Sequence, residues 1–201
     1  MTTATVDRSE FRHILFSGTI VGFVTSAAVI VFLVLSRLLP AGMISALVGA
    51  VLVLAAGVAA AFLPAFFAGS RTVQGIASAA AIGLWGTIVF MAVDIIVLRP
   101  VHAFPWTWDA VAGGSTWWYL PIWWMLGTFL AWMGGIVTAG RARRGGDVAI
   151  PALALPVVVG AAAIALILTL ARVHIYLPVA AGAGFAIVLA GLALVAIARK
   201  A

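Results

Sequence analysis

Cysteine is absent from the 201 residues, and lysine occurs once, at Lys200. The first absence excludes disulfides, thiolate metal centres, Cys-ligated iron–sulfur clusters and a cysteine nucleophile. The second excludes a retinal Schiff base buried among helices. Charge is scarce too: 8% of the residues are Asp, Glu, Lys or Arg, against about 25% in ordinary soluble domains. So little charge excludes a soluble globular protein, a disordered chain and a nucleic-acid-binding module.

Apolar residues take up what charge leaves. They make up 66% of the chain, with a mean hydropathy of +1.28. A membrane-spanning helix needs about 20 consecutive apolar residues. Six stretches meet that requirement, near 14–35, 43–68, 74–98, 117–139, 148–171 and 175–198. Backbone polar groups must be satisfied internally in hydrocarbon, and a barrel would alternate polar and apolar positions. These runs are continuous, so the fold class expected is all-α, a polytopic bundle of six transmembrane helices. The run at 14–35 is longer than a signal-peptide core and lacks a clear cleavage site, so it reads as a retained helix.

The basic residues mark the ends of the apolar runs. With the N-terminus cytoplasmic, one side holds Arg8, Arg12, Arg71, Arg141, Arg143, Arg144, Arg199 and Lys200. The opposite side holds Arg37, Arg99 and Arg172. This asymmetry predicts both termini in the cytoplasm, because short cytoplasmic loops accumulate Arg and Lys. The excess of 11 basic over 5 acidic residues therefore reads as topology and headgroup anchoring rather than an acidic partner. Three parts result: a cytoplasmic segment 1–13, a membrane domain 14–198 and a short tail 199–201. Heavy use of Ala, Gly, Val and Arg suggests a bacterial gene and thus an inner cell membrane.

Lipid tails are as apolar as leucine, so helices associate there through close packing and small residues. Small residues recur at helical spacing as Gly18, Gly22 and Ser26; as Ala80, Gly83 and Thr87, leading to Asp94; as Gly127, Ala131, Gly134 and Thr138; and as Ala180, Gly184 and Gly191. Each set is expected to face other helices. Pro64, Pro121, Pro156 and Pro178 are expected to start or bend helices.

Few groups could carry chemistry. Asp94 is the one acid within a predicted span. A charge in the bilayer is costly, so such a residue is a functional candidate. It also lies only five residues before Arg99, which allows an interface-level role beside Arg99, Arg37 or Arg172. The connection 99–116 is the one long loop, on the outer side, and holds His102, Trp106, Trp108 and Asp109. With Trp117, Trp118, Trp123 and Trp124 it forms a one-sided aromatic cluster. Such a cluster reads either as an interfacial belt or as a surface that docks a partner or caps an apolar ligand. His174 joins His102 and Asp109 on the outer side, without the local ligand spacing that a metal site would show. No metal, haem or other cofactor is expected, whereas bound lipid is.

Three functions are compatible with these residues. The first is a non-catalytic, membrane-embedded subunit of a larger complex, docking partners through the Trp-rich loop and small-residue faces. The second is a small transporter, or a substrate-binding membrane component, for a small neutral or apolar solute. The third is a membrane enzyme at the outer interface, using Asp94, His102, Asp109 and His174. Expected partners are membrane lipids and other membrane subunits or copies of the same chain, not nucleic acid. The ligand-binding or docking candidates are Asp94, Arg99, His102, Trp106, Trp108, Asp109, Trp117, Trp118, Trp123, Trp124 and His174.

Overall fold

A computed structural model describes residues 11–98, 100 and 119–199, with only the backbone of residues 119 and 120. Every extended element among them is helical. The elements are α1 (Phe11–Leu38), α2 (Met43–Ala68), α3 (Val73–Val93), α4 (Tyr119–Ala142), α5 (Ile150–Leu170) and α6 (Leu177–Ala198), with a π-helical turn (Asp94–Leu98) continuing α3. Six helices are long and apolar enough to span a membrane. The chain is thus a multi-pass integral membrane protein, and the spans follow the six hydropathy runs closely.

Local chemistry sets the helix ends. α2 stops at Gly69, whose φ of 58° is left-handed. The Gly69 amide donates to the Phe66 carbonyl at 3.2 Å and the Ser70 amide to the Ala65 carbonyl at 3.1 Å. This paired reversal satisfies two of the carbonyls that a helix leaves open at its end. Thr72 then starts α3, its hydroxyl accepting from the Gly75 amide at 3.1 Å. α5 and α6 each begin with proline in the first turn, where the missing N–H has no intrahelical role. α5 ends with the same reversal as α2, but its left-handed residue is Arg172, at φ 54°. There the Arg172 amide donates to Thr169 and the Val173 amide to Leu168, both at 3.0 Å.

α2 is the central helix. It packs against α1, α3, α4 and α6 and touches α5. α1 is held by α2 and α3, α4 joins α3 to α6, and α5 rests chiefly on α6. One core, including Phe62, Val157, Phe185 and Leu189, fills the space among α2, α4, α5 and α6. A second, of Val21, Ala68, Ala79 and Ile82, joins α1, α2 and α3.

The helices cross at very short range. A Cβ on Gly18 would lie 2.9 Å from the Ile82 carbonyl oxygen, and one on Gly22 would lie 2.7 Å from that of Gly86. Gly83 abuts Ala131, Gly127 abuts the Thr87 hydroxyl, and Gly134 abuts the Ala61 carbonyl. Three of the four small-residue stripes therefore lie inside the chain's own bundle. The fourth is split: Ala180 and Gly184 are buried, whereas Gly191 has nothing within 4 Å of a built Cβ.

Hydrogen bonds tie α1 to its neighbours. The Trp85 indole donates to the Thr19 hydroxyl at 3.1 Å. His13 Nε2 lies 3.0 Å from the Phe67 carbonyl, one of the open carbonyls at the end of α2. The start of α1 thus sits beside the end of α2. Gly134 beside Ala61, and Gly140 beside Ala196, bring the ends of α4 and α6 to that same end of the bundle. Arg12, Arg71, Arg141, Arg143, Arg144 and Arg199 cluster there in sequence position, with Arg37 and Arg172 at the opposite end.

Candidate functional site

The most unusual polar group in the described spans is Asp94. It is 3% exposed and opens the π-helical turn that continues α3. Single π-helical turns recur at functional positions, because they rotate side chains out of the regular register. Gly83, Thr87, Phe90 and Asp94 are all buried at spacings that place them on one face. Of the face expected from Ala80, Gly83, Thr87 and Asp94, the last three are buried and Ala80 is half-buried, while Ser78, Ala79, Ile82 and Gly86 are buried as well. Leu98, one turn beyond Asp94, packs with Leu33 of α1. Asp94 and Arg37 each have an interaction partner.

Below Asp94 the same face lines a small cavity of about 80 Å³. Val21 and Thr25 contribute from α1, Ala60 from α2, Gly83 to Phe90 from α3, and Trp123 to Leu130 from α4. Its walls are almost wholly carbon. Phe90 and Trp123 meet edge to face there, with ring centroids 5.6 Å apart and planes at 69°, a favourable aromatic geometry. Both lining threonines turn their hydroxyls to their own helices: Thr25 donates to Val21 at 2.9 Å, and Thr87 to Gly83 at 2.9 Å. Pro64 lies inside α2. Having no N–H, it leaves the carbonyl four residues earlier, that of Ala60, without its helical donor.

Trp123 thus meets Phe90, which lies one helical turn before Asp94 on the same face of α3. Trp124 points elsewhere and is 46% exposed. His174 is exposed in the turn between α5 and α6, in the half of the bundle that rests on α2 and α4 rather than on α3. Among the described residues no cluster of three or more His, Asp or Glu side chains could hold a metal ion. The expectations for Arg99, His102, Trp106, Trp108, Asp109, Trp117 and Trp118 lie outside the described residues. Comparison of the chain with protein-family models, with curated proteins and with solved structures finds no match.

Sequence reasoning did not find the cavity. Thr25, Gly86 and Phe90 carry no motif, and apolar residues lining a gap resemble apolar residues facing lipid. The one available signal was Pro64, which identifies Ala60 as the carbonyl displaced from regular helix bonding. The roles of His13 and Thr19 were also missed, since each meets its partner only after distant helices pack.

Proposed function

We propose that this protein is a non-catalytic, membrane-embedded subunit of a larger membrane complex. The supporting observation is the set of backbone-close crossings that join α1 to α3, α3 to α4, and α4 to α2. Helices interlocked at this range resist the rocking of one half against the other on which alternating access depends. They instead suit a rigid body that holds partners in register. On this reading the docking surface lies at the outer aromatic end, where Trp124 and Ile122 of α4 are exposed and the Trp-rich connection begins. The small-residue faces serve mainly the chain's own packing. On this reading the chain's ends lie in the cytoplasm of a bacterial inner membrane, which the basic residues Arg71, Arg143 and Arg144 in the loops on that side support.

The test is native mass measurement after extraction from source membranes into polymer-bounded lipid discs. The reading expects a membrane partner at fixed stoichiometry, released when Trp124 is replaced by Ala. A lone chain carrying only lipid would overturn it.

A second reading is a transporter or binding component for a small neutral or apolar solute. Its support is the buried Asp94 standing above the apolar cavity. It expects Asp94→Asn to abolish uptake while leaving the fold intact, whereas the subunit reading expects Asp94→Asn to retain partner binding.

A further inference from the structure

We propose that the cavity among α1, α2, α3 and α4 is a binding site for the terminal carbons of a membrane lipid's hydrocarbon chain. The proposal goes with the subunit reading, since the carrier reading gives the same cavity to the transported solute.

The cavity is anomalous in its surroundings. Where α1 meets α3, α3 meets α4 and α4 meets α2, glycine lets backbone approach backbone, yet a gap of about 80 Å³ persists between Gly83 and Phe90. Water does not suit it. A buried water needs two to four polar partners; the two threonine protons are already donated to Val21 and Gly83, which leaves acceptors alone, the Ala60 carbonyl freed by Pro64 among them, on walls that are almost wholly carbon. An ion suits it less, since the walls are almost wholly carbon and a charge would lose its hydration without recompense. Only a carbon-rich occupant restores the dispersion contacts that the lining side chains lack.

Size and medium select the occupant. A dry cavity of about 150 Å³ holds benzene, so about half that volume accepts on the order of three carbons in a row. The cavity is partly open. Its lining from Gly83 to Phe90 runs for about 10 Å along α3, at 1.5 Å per residue. Lipid chain ends have this chemistry, and they are the most concentrated apolar species around a membrane-spanning helix. Phe90 and Trp123, which meet edge to face, add ring carbons to the lining against which methylenes can pack.

The experiment uses the whole protein in lipid nanodiscs containing a phosphatidylcholine with a diazirine on the last carbons of one chain. After illumination, adducts are mapped by mass spectrometry of peptides. In the unaltered protein, adducts are expected on residues 83–90 and 126–130 as well as on outward residues such as Leu166 and Ile167. Thr25→Leu fills the cavity and should lower the cavity adducts about tenfold, because a close-packed site registers even one added methylene. Leu130→Ala enlarges it and should raise them. Labelling of Leu166 and Ile167 should not change in either variant and reports that the bundle is intact. Should Thr25→Leu fail to fold, Leu130→Ala decides the matter alone. Adducts confined to outward residues, or cavity adducts unmoved by the change in volume, overturn the proposal.

Discussion

Gly134→Ala should damage this protein, and Gly191→Ala should not. The two changes are chemically identical, each adding one methyl group within a membrane helix. At Gly134 the new Cβ would fall onto the Ala61 carbonyl oxygen, with the Ala61 carbonyl carbon 2.7 Å away and its Cα 3.2 Å away. These are backbone atoms of the central helix and cannot rotate aside. α2 and α4 must part by most of an ångström, loosening Phe62, Leu130 and Val137 in the largest core. Overpacking of this kind costs about 1–3 kcal/mol, against which alanine gains up to about 1 kcal/mol in helix propensity over glycine. The net expectation for Gly134→Ala is a loss of about 1–2 kcal/mol. At Gly191 nothing lies within 4 Å, so only the propensity gain of up to about 1 kcal/mol applies. Reversible unfolding in mixed micelles with increasing SDS, followed by circular dichroism, measures both. Equal midpoints, or a more stable Gly134→Ala, would refute the close crossing of α2 and α4.

Other consequences are open to the same assay. Gly127→Ala should destabilise through its collision with the Thr87 hydroxyl, and Thr87→Ala should partly rescue it, with a coupling of about 1 kcal/mol in a double-mutant cycle. Arg172 adopts a left-handed conformation without being glycine, so Arg172→Gly should raise stability by about 1 kcal/mol; a loss would mean that the Arg172 side chain contributes more than its backbone strain costs. Thr19→Val removes the acceptor of the Trp85 indole and should cost about 0.6 kcal/mol, the usual worth of a hydrogen bond between membrane helices, together with a shift in tryptophan emission.

The six spans were legible because length and hydropathy are properties of single segments. α2 has the expected limits, α3 with its π-helical turn, α5 and α6 match theirs within two residues, and α1 and α4 within three. The stripes were legible for a related reason. Gly18, Gly22 and Gly134 lie where only a bare Cα fits, and small residues at helical spacing announce such contacts. Gly191 shows the limit of that rule, because a glycine facing lipid and a glycine facing a helix are written alike. The central position of α2 left no trace in the sequence. A helix apolar on all sides has no amphipathic face to point inward, so which side meets protein is decided by shape complementarity with distant segments. The cavity was invisible for the same reason, since a gap is a property of four helices together. Asp94 was identifiable as an acid in a span, whereas its near-complete burial and its π-helical turn emerged only from packing.

The path of the chain through the membrane underlies every contact and position described above. The native absence of cysteine allows this to be measured cleanly with single cysteines placed at Ala41, Ala149 and His174, all exposed in connections between helices. Intact cells or oriented vesicles are treated with a membrane-impermeant thiol reagent. Labelling of Ala41→Cys and His174→Cys from the outside, with Ala149→Cys protected until the membrane is opened, is the result expected. Labelling of Ala41→Cys and Ala149→Cys from one and the same side would contradict the six-span arrangement.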